Sequence, residues 1–466
     1  MNLDIMFSPK SIAIIGASRK EGSVGYDILK NLVMGCVFEC EFCRPFIGKI
    51  YPINPNADEI LGKKCYKKIS DVAGEIDLAV IVVHASIVKD IAKECIKKKV
   101  KSIIIISAGF AEMGEKLKRL QEEITEMLAK AKIPMLGPNC LGLIRPSTGV
   151  NASFAPAMPK EGDIAFISQS GALVDSVIDW SIENNYGFSA IVSVGNQAML
   201  GINEFLEYFA NDSKTKAITL YIEGIDDGRK FMEIAKKVSA KKPIIAIKAG
   251  RTEQGTHAIA SHTGSLAGNY KIYETAFRQS NVFIADNLEE LFDKAKALAT
   301  QPVLKGSVAI VTNGGGAGVL CTDYAAHFNL PLVELKESTL KKLDASGKMH
   351  DAYSRRNPLD IIGDANSERY KTAVSILLKE NYIAGLIVIV TLQSTTDIEN
   401  IAKEIIDEKN KNPSKPILLV CMMGRFTKKA IKLLEENKIP VYNDMKRAVF
   451  AMKSLQKREI QLNSKS

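Results

Sequence analysis

Long apolar segments are missing from this 466-residue chain. No window approaches the roughly 18 uncharged apolar residues that a membrane-spanning helix needs. The opening residues, Met-Asn-Leu-Asp-Ile, also lack the basic region and cleavage site of a secretory signal. We therefore expect a cytoplasmic protein with no membrane partner, and we expect its eight cysteines to be reduced thiols.

Aromatic side chains are also scarce, at 7% of the residues, and they form no evident platform on which bases could stack. The formal net charge of +9 is modest for this length, because Lys and Arg are spread along the chain instead of clustered. This charge distribution suits small polyanions such as a nucleotide or coenzyme A (CoA) better than a nucleic-acid groove. We therefore expect no nucleic-acid partner.

Two nucleotide-binding patterns are absent as well. The first glycine-rich turn, residues 16–25, lacks the G-x-G-x-x-G spacing, and the second predicted strand ends in Ile-Asn54-Pro without an acidic residue for a ribose hydroxyl. An NAD-binding role is therefore disfavoured. No Lys-Ser/Thr pair follows the glycines at residues 314–316, which disfavours a nucleotide P-loop there.

The chain is too long for one hydrophobic core and alternates strand and helix patterns throughout. Short runs rich in Ile, Val and Ala predict buried parallel strands, and the amphipathic segments between them predict helices. The pattern predicts an α/β fold of three doubly wound units. The predicted domains are residues 1–147, 148–302 and 303–466, with a connection that contains proline and glycine at the second boundary.

Residues 260–268, Ala-Ser-His-Thr-Gly-Ser-Leu-Ala-Gly, place the imidazole of His262 among small and hydroxylic residues in a predicted loop. The loop follows a predicted strand at residues 242–249, so His262 should lie beyond the carboxyl end of a strand, where open α/β sheets bind ligands. One ring nitrogen can meet a phosphate while a carboxylate holds the other. Capping a helix or filling a polar loop is the alternative role.

Two other segments supply groups that such a histidine would use. Glu223 follows an apolar strand at the same predicted sheet edge, although it can also be an acid at the entry to a helix. The Ser-Gln-Ser-Gly segment, residues 168–171, joins a strand to a helix, so backbone N–H groups and the helix dipole can hold an anion. An ordinary helix N-cap is the alternative there. Asn196, in a turn at the same edge, can contact substrate or serve only as a turn residue.

Taken together, these segments resemble the α subunit of the ADP-forming acyl-CoA synthetases, relatives of succinyl-CoA synthetase. The resemblance spans nearly the whole chain. It rests on Ser-Pro-Lys-Ser-Ile-Ala-Ile-Ile-Gly-Ala-Ser (8–18), Gly-Pro-Asn-Cys-Leu-Gly (137–142), Ser-Gln-Ser-Gly-Ala-Leu (168–173), Tyr-Ile-Glu-Gly (221–224), Ser-His-Thr-Gly-Ser-Leu-Ala-Gly (261–268), Thr-Asn-Gly-Gly-Gly (312–316) and Asn-Pro-Leu-Asp (357–360).

The resemblance implies a CoA-binding Rossmann-like domain followed by two flavodoxin-like domains of the succinyl-CoA synthetase type. It implies that His262 is phosphorylated during turnover and that Glu223 supports it. His84, where relatives more often carry proline, is expected to be a loop residue and not a catalyst. The implied ligand positions are Gly16, Ala17, Ser18, Asn54, Ser107, Ala108, Gly109 and Asn139 for CoA, and Gln169, Ser170, Gly171, Gly314, Gly315 and Gly316 for phosphate.

The implied reaction is acyl-CoA + ADP + phosphate ⇌ carboxylic acid + ATP + CoA, through an acyl phosphate and a phosphohistidine. CoA, phosphate and ADP or ATP with Mg²⁺ are the implied ligands, with the nucleotide and its metal mainly on a partner. The three units are all assigned, so we expect a separate β subunit with an ATP-grasp domain, in an α2β2 heterotetramer. A non-catalytic, CoA-responsive regulatory subunit with the same fold is the alternative.

Residues 35–46 are an insertion relative to that resemblance. Cys36, Cys40 and Cys43 follow the spacing C-x3-C-x2-C with an aromatic residue before the last, as in the cluster-binding sequence of radical SAM enzymes. Those enzymes place it after the first strand of a β/α barrel, and no such barrel is predicted here. The sequence leaves open buried thiols or an incidental metal or cluster site. We predict no metal in the catalytic site of this chain and no role for the insertion in turnover.

Overall fold

The computed structural model describes residues 2–263, 269–422 and 424–463, with side chains described in those ranges except at 259–263. The chain divides into two compact units, Met1–Ala285 and Asp286–Ser466. Three mainly parallel sheets, each accompanied by helices, confirm the predicted α/β fold class. Across the described ranges, no helix combines the length and the apolar sequence that a bilayer crossing requires.

The first sheet belongs to the first compact unit. Its elements are α1 (Asp4–Phe7), β1 (Ser11–Ile15), α2 (Val24–Met34), β2 (Lys49–Ile53), β3 (Glu59–Ile60), β4 (Lys63–Lys64), β5 (Leu78–Ile81), α3 (Ala85–Lys97), β6 (Ser102–Ile105), α4 (Glu115–Lys130) and β7 (Met135–Leu136). Five parallel strands run in the order β2-β1-β5-β6-β7, and β3 and β4 form a small hairpin. Alternate residues of β1 enter different apolar clusters, Ile12 on one face and Ala13 on the other, because both faces of the sheet are covered.

The second sheet lies in the same unit. Its elements are β8 (Gly142–Arg145), β9 (Val150–Ser153), β10 (Glu161–Ser168), α5 (Gly171–Glu183), β11 (Phe188–Ser193), α6 (Ile202–Asn211), β12 (Ala217–Ile222), α7 (Gly228–Lys241), β13 (Ile244–Lys248), α8 (Glu253–Thr263), α9 (Tyr270–Gln279) and β14 (Phe283–Ile284). The strand order is β14-β13-β12-β10-β11-β8-β9. The strands from β14 to β11 are parallel, whereas β8 pairs antiparallel with β11 and with the edge strand β9. The apolar runs at residues 163–168, 189–194, 217–222 and 242–249 predict buried strands, and they coincide with β10 to β13 within two residues. The β8–β9 hairpin is an addition.

The third sheet belongs to the second compact unit. Its elements are α10 (Leu288–Thr300), β15 (Val308–Thr312), α11 (Gly315–His327), α12 (Glu337–Ala345), β16 (Leu359–Asp360), α13 (Ser367–Lys379), β17 (Gly385–Ile389), α14 (Ile398–Lys411), β18 (Ile417–Val420), α15 (Lys428–Glu436), β19 (Val441–Tyr442) and α16 (Met445–Asn463). Its strands are parallel in the order β16-β15-β17-β18-β19. The amphipathic run that begins at residue 443 predicts a closing C-terminal helix. This helix is α16, which packs against α10 and α11.

The division into three domains at residues 147 and 302 stays a prediction, and the packing differs from it at two places. Strand β8 precedes residue 147 but pairs with β11 in the second sheet. Helix α10 precedes residue 302 but lies in the second compact unit. In both cases the element packs in the layer that buries its apolar face. The positions of proline and glycine along the chain do not indicate which layer that is.

A buried ion pair in the first compact unit joins β8 to the residue that follows α6. Arg145, at the end of β8, donates two hydrogen bonds to the carboxylate of Asp212, at 2.9 and 2.8 Å. The Phe7 ring centroid lies 5.9 Å from the guanidinium carbon, and Arg145 is only 5% exposed. Burial alone would raise the pKa of Asp212, but the hydrogen bonds from Arg145 and Thr215 hold it below its usual value.

Replacing Arg145 with leucine leaves the Asp212 carboxylate buried without its partner. We expect the free energy of unfolding, measured in urea at neutral pH, to fall by about 3–5 kcal/mol. Because the folded-state pKa of Asp212 is lowered, its stabilising contribution is present above its unfolded pKa of about 3.9 and is lost as the pH falls through the folded value. The difference between the two proteins should therefore shrink in acid.

The exposed pair between Lys67 and Asp58 provides the control, since these side chains are 52% and 95% exposed. Lys67→Ala should change the free energy of unfolding by about 0–1 kcal/mol. A similar loss in both variants would contradict the role assigned to the Arg145–Asp212 pair.

Candidate functional site

The carboxyl ends of β10, β12 and β13 meet at one edge of the second sheet, because these strands are adjacent and parallel. Ser168 ends β10 beside Tyr221 of β12, and Lys248 ends β13 beside Ile222. The structure therefore brings the Ser-Gln-Ser-Gly turn and Glu223 to the same edge, as the sequence predicts.

The side chain of Gln169 connects those two turns. Its amide oxygen accepts hydrogen bonds from the backbone N–H groups of Glu223 and Gly224, the latter at 3.0 Å, and its Nε2 donates to the Gly224 carbonyl at 2.8 Å. We call these three hydrogen bonds the amide clamp. Because the clamp engages both ends of the carboxamide, Gln169 fixes the turn that carries Glu223. Phosphate binding by Gln169 stays a prediction.

Helix α5 begins at this edge, and Ser170 is its N-cap. The Ser170 hydroxyl accepts a hydrogen bond from the Leu173 N–H at 3.3 Å, and the Ser170 N–H donates to Ser168 Oγ at 3.1 Å. The sequence leaves open an N-cap and an anion site at this segment. In the structure Ser170 caps the helix, and the positive end of the helix dipole, which an anion site would use, points to the sheet edge. Anion binding by Ser170 and Gly171 stays a prediction.

Glu223 and Lys248 are both buried at this edge, with exposed fractions of 7% and 0%. Burial lowers the pKa of the Lys248 ammonium, and the charge of Glu223 opposes that shift. Lys248 Nζ donates to the Ala249 carbonyl and lies 4.6 Å from the Tyr273 ring centroid. Sequence reasoning missed Lys248, although a lysine inside the apolar run of residues 242–249 was a signal, because lysine is rarely fully buried without a partner.

The sequence predicts that His262 lies in a loop. This prediction is wrong, because the backbone at His262 is helical. Helix α8 extends through His262 to Thr263. Thr252 precedes the helix and its Oγ1 accepts a hydrogen bond from the Gly255 N–H at 3.1 Å, so a local N-cap starts a helix despite the small residues that follow. The His262 side chain and the remainder of the segment, residues 264–268, lie outside the described residues.

The residues predicted to bind CoA lie at the carboxyl edge of the first sheet, because they follow its parallel strands. Gly16 has φ 98°, and a Cβ at this position would lie 2.0 Å from the Val82 carbonyl oxygen, so the turn that includes Ala17 requires glycine. Asn54 Nδ2 donates to the Ala17 carbonyl at 2.7 Å, and Ser18 Oγ accepts from the Lys20 N–H at 3.0 Å.

The turn formed by Ser107, Ala108 and Gly109 adjoins the turn after β5. Ser107 Oγ donates to the Val83 carbonyl at 2.6 Å and accepts from the Val83 N–H at 3.1 Å. The Gly109 N–H donates to Glu112 Oε1 at 2.6 Å. These polar groups hold the edge in shape, and their contact with CoA stays a prediction.

Asn139 and Asn196 link the edges of the first and second sheets. Asn139 Nδ2 donates to Asn196 Oδ1 at 3.2 Å, and Asn196 Nδ2 donates to Glu112 Oε2 at 2.6 Å and Gln121 Oε1 at 3.0 Å. Burial alone would raise the pKa of Glu112, but hydrogen bonds from Asn196 and from backbone N–H groups hold it below its usual value. Asn196 thus has a structural role in its turn.

His84 is exposed and caps α3, with Nδ1 2.8 Å from Ser86 Oγ.

The third sheet repeats the amide clamp. Asn313, after β15, donates from Nδ2 to the Thr391 carbonyl at 2.9 Å and accepts from the Thr391 N–H at 2.8 Å. A Cβ at Gly315 would lie 2.8 Å from Asp360 Oδ2, so a carboxylate lies close to the first turn of α11. A Cβ at Gly316 would meet no atom within 4 Å. Phosphate binding by the glycines at residues 314–316 stays a prediction.

The cysteine insertion differs from the expectation of reduced thiols. Cys36 and Cys43 form a disulfide, and Cys40 is a free thiol. The Cα atoms of Cys36 and Cys43 are 5.4 Å apart, within the range that a disulfide spans. They are this close because the loop folds back on itself. The expectation of reduced thiols is therefore wrong for these two residues. The other cysteines are free and buried.

Two family descriptions match most of the first compact unit: "CoA binding domain" at residues 10–146 and "Succinyl-CoA ligase like flavodoxin domain" at residues 161–298. Acetate--CoA ligase [ADP-forming] II subunit alpha of Pyrococcus furiosus is 42% identical over 457 residues, which are 97% of each chain. The I subunit alpha of the same organism is 42% identical over 463 residues, or 98% of each chain. Acetate--CoA ligase [ADP-forming] of Methanocaldococcus jannaschii is 44% identical over 96% of this chain, which spans 62% of that protein.

Solved structures give the same result. The dinucleotide forming Acetyl-coenzyme A synthetase 1 of Ca. Korarchaeum cryptofilum, in complex with phosphate and ADP, is similar with a TM-score of 0.90 and 38% identity over 99% of this chain and 98% of that chain. The Pyrococcus and Methanocaldococcus proteins are named as ligases, which favours the catalytic subunit over the regulatory alternative and confirms the predicted resemblance. This chain belongs to the ADP-forming acetate–CoA ligase family and aligns with 97% and 98% of the length of two of its alpha subunits.

Proposed function

We propose that this chain is the catalytic α subunit for acyl-CoA + ADP + phosphate ⇌ carboxylic acid + ATP + CoA, with His262 as the phosphoryl carrier. The observation that carries this proposal is the amide clamp, which holds Glu223 beside the N-terminus of α5 at the edge of the second sheet. Helix α8, which includes the His262 backbone, follows β13 of the same sheet.

The proposed chemistry has three transfers. A phosphate oxygen attacks the thioester carbon, the C–S bond breaks, and CoA leaves as its thiol after protonation. An imidazole nitrogen of His262 then attacks phosphorus, and the acyl carboxylate is the leaving group. ADP finally takes the phosphoryl group from His262. Covalent transfer through the histidine divides one transfer between distant sites into two in-line steps.

Two features of the sheet edge suit the phosphorylated histidine. The positive end of the α5 dipole, at Gly171, favours the negative charge of a phosphoryl group. Glu223 would orient the imidazole and stabilise its positive character. We propose Lys248 as a further positioning residue, because it is buried at the same edge as Glu223 and the two side chains interact electrostatically.

For CoA we propose the carboxyl edge of the first sheet. The tight turns at residues 16–18 and 107–109 expose backbone groups there, while the side chains of Asn54 and Ser107 hold those turns in place. Mg²⁺ prefers oxygen ligands. Within the described ranges, the cluster of side chains spaced to hold a metal consists of cysteines, so we propose that Mg²⁺ accompanies the nucleotide on the partner subunit.

Acetate and other small carboxylic acids are the proposed substrates, in the cytoplasm. Several relatives are named for acetate, and the 4-hydroxybutyrate--CoA ligase [ADP-forming] of Nitrosopumilus maritimus is 37% identical over 90% of this chain. This chain spans 59% of that protein, as it spans 62% of the Methanocaldococcus protein. We propose that a separate β subunit with an ATP-grasp fold supplies the part that the longer relatives carry in the same chain. The two subunits would form an α2β2 assembly.

His262 should carry an acid-labile, alkali-stable phosphoryl group after the assembled enzyme is incubated with acyl-CoA and phosphate, because phosphoryl-nitrogen bonds hydrolyse in acid. Mass spectrometry of rapidly quenched peptides locates it. Glu223→Gln should slow its formation by about a hundredfold, as expected for loss of a charged group at a reacting centre, with CoA affinity unchanged. Phosphorylation that persists in His262→Ala, at His84 or His257 for example, would refute the assignment.

Gln169→Leu removes the amide clamp and leaves backbone groups of the Glu223 turn without partners. A shift of about 1 Å in that turn should slow phosphohistidine formation by about a hundredfold. Affinity for CoA, measured by calorimetry, should be unchanged. Asn184→Leu is the control, because Asn184 donates to the Trp180 carbonyl at the opposite end of α5. Equal rates in both variants would exclude a positioning role for Gln169.

The chain without its partner should bind CoA but form no ATP from acyl-CoA, ADP, phosphate and Mg²⁺, because the final acceptor site lies on the β subunit. Luciferase detection of ATP and native mass spectrometry test this, and adding the purified β subunit should restore ATP formation together with an α2β2 mass. ATP produced by the purified chain alone would refute the division of labour.

A further inference from the structure

Three cysteine sulfurs converge in the loop between α2 and β2. Cys40 Sγ lies 3.6 Å from Cys36 Sγ and 3.6 Å from Cys43 Sγ, and the three sulfurs all lie within 4.8 Å of one another. Cys36 is buried, whereas Cys40 and Cys43 are partly exposed. A soft cation can therefore reach the cluster from solvent.

The loop is held in this shape by its own packing. Gly35 ends α2 with φ 92°, and a Cβ there would lie 2.5 Å from the Arg44 backbone nitrogen, so only glycine lets the chain return this closely. The Phe38 N–H donates to the Pro156 carbonyl at 2.7 Å. Asn31, fully buried in α2, donates from Nδ2 to the Ser153 and Ala155 carbonyls, each at 2.9 Å. These contacts hold the loop in the shape in which the three sulfurs lie together.

Backbone N–H groups point to two of the sulfurs. The Met158 N–H lies 3.4 Å from Cys36 Sγ, and the Cys40 N–H lies 3.1 Å from Cys43 Sγ. A hydrogen bond donated to sulfur favours the thiolate over the thiol, and thiolates are the ligand form that binds metals. Such outer donors also orient metal ligands.

Two of the three sulfur spacings suit a single metal ion. At a metal–sulfur distance of about 2.3 Å, two thiolates on a tetrahedral ion are about 3.8 Å apart. The two distances from Cys40 Sγ, both 3.6 Å, are close to this value. The third pair, Cys36 and Cys43, is joined by the disulfide and can take this spacing only after reduction. A four-iron cluster instead places each cysteine on a different iron, which separates the sulfurs further.

We propose that Cys36, Cys40 and Cys43 form a three-thiolate site for one tetrahedral, zinc-like divalent cation, available when the Cys36–Cys43 disulfide is reduced. A dithiol reductant supplies two electrons, becomes a disulfide itself and leaves two thiols on the protein. Binding of the cation then releases three protons from the three thiols, and water completes the tetrahedron. The site stabilises the loop and takes no part in acyl or phosphoryl transfer.

Metal analysis of the full chain, purified without oxygen and with a dithiol reductant, tests the proposal with Zn²⁺ as the probe. We expect about one zinc ion per chain, and Co²⁺ exchanged into the site should give the intense ultraviolet charge-transfer band of cobalt–thiolate bonds. Cys40→Ser should weaken Zn²⁺ binding at least tenfold and leave turnover by the assembled enzyme within twofold. Cys95→Ala, which removes a buried thiol elsewhere, should bind Zn²⁺ as the unaltered chain does.

Alkylation of the unaltered chain provides a second measurement if the variant does not fold. Bound Zn²⁺ should slow alkylation of Cys36, Cys40 and Cys43 at least tenfold, and a chelator should abolish the protection. Unprotected thiols, or a disulfide that persists under the reductant, would overturn the proposal. Stoichiometric iron and sulfide in place of zinc would overturn the single-ion site in favour of a cluster.

Discussion

The arrangement of the second sheet's edge depends on one carboxamide. Parallel strands bring several turns to the same edge, and each turn leaves backbone N–H and C=O groups that need partners. Gln169 supplies those partners to the turn after β12. Asn313 does the same for the turn after β17 in the third sheet, although it is one methylene shorter. Two sheets of the chain thus use the same device to fix the turn beside a strand-to-helix connection.

In the second sheet, the amide clamp fixes the turn that carries the buried Glu223 side chain. Glu223 and Lys248 are almost completely inaccessible to water, which is costly for single charges and tolerable for charges that accompany each other. Burial depresses the pKa of Lys248, and Glu223 opposes that effect. Burial also raises the pKa of Tyr221, and the charge of Glu223 adds to it. The polar groups at this edge are therefore coupled, so a substitution at one of them changes the electrostatic environment of the others.

The sequence predicts the strands well because apolar runs report burial directly: β12 agrees at both ends, and β10 within two residues. It also places Glu223 at the right edge, since parallel strands leave little choice. It does not reveal the amide clamp or the burial of Lys248, because a linear pattern does not say which polar side chain pairs across two turns. Helix α8 was missed because the local N-cap at Thr252 outweighs the small residues around His262. The disulfide forms because the loop between α2 and β2 folds back on itself. The spacing of the cysteines in the sequence does not determine that conformation.

The two clamped turns have different electrostatic surroundings. At α5 the helix end is capped by the neutral hydroxyl of Ser170, which leaves the positive end of the dipole available to an anion. At α11 the cap is Gly314, and the Asp360 carboxylate lies against Gly315, where it already offsets that dipole. A phosphate that approaches Gly314, Gly315 and Gly316 therefore meets a carboxylate unless it brings a cation. The same strand–turn–helix element therefore presents a helix end capped by a neutral hydroxyl in the second sheet, and a helix end beside a carboxylate in the third.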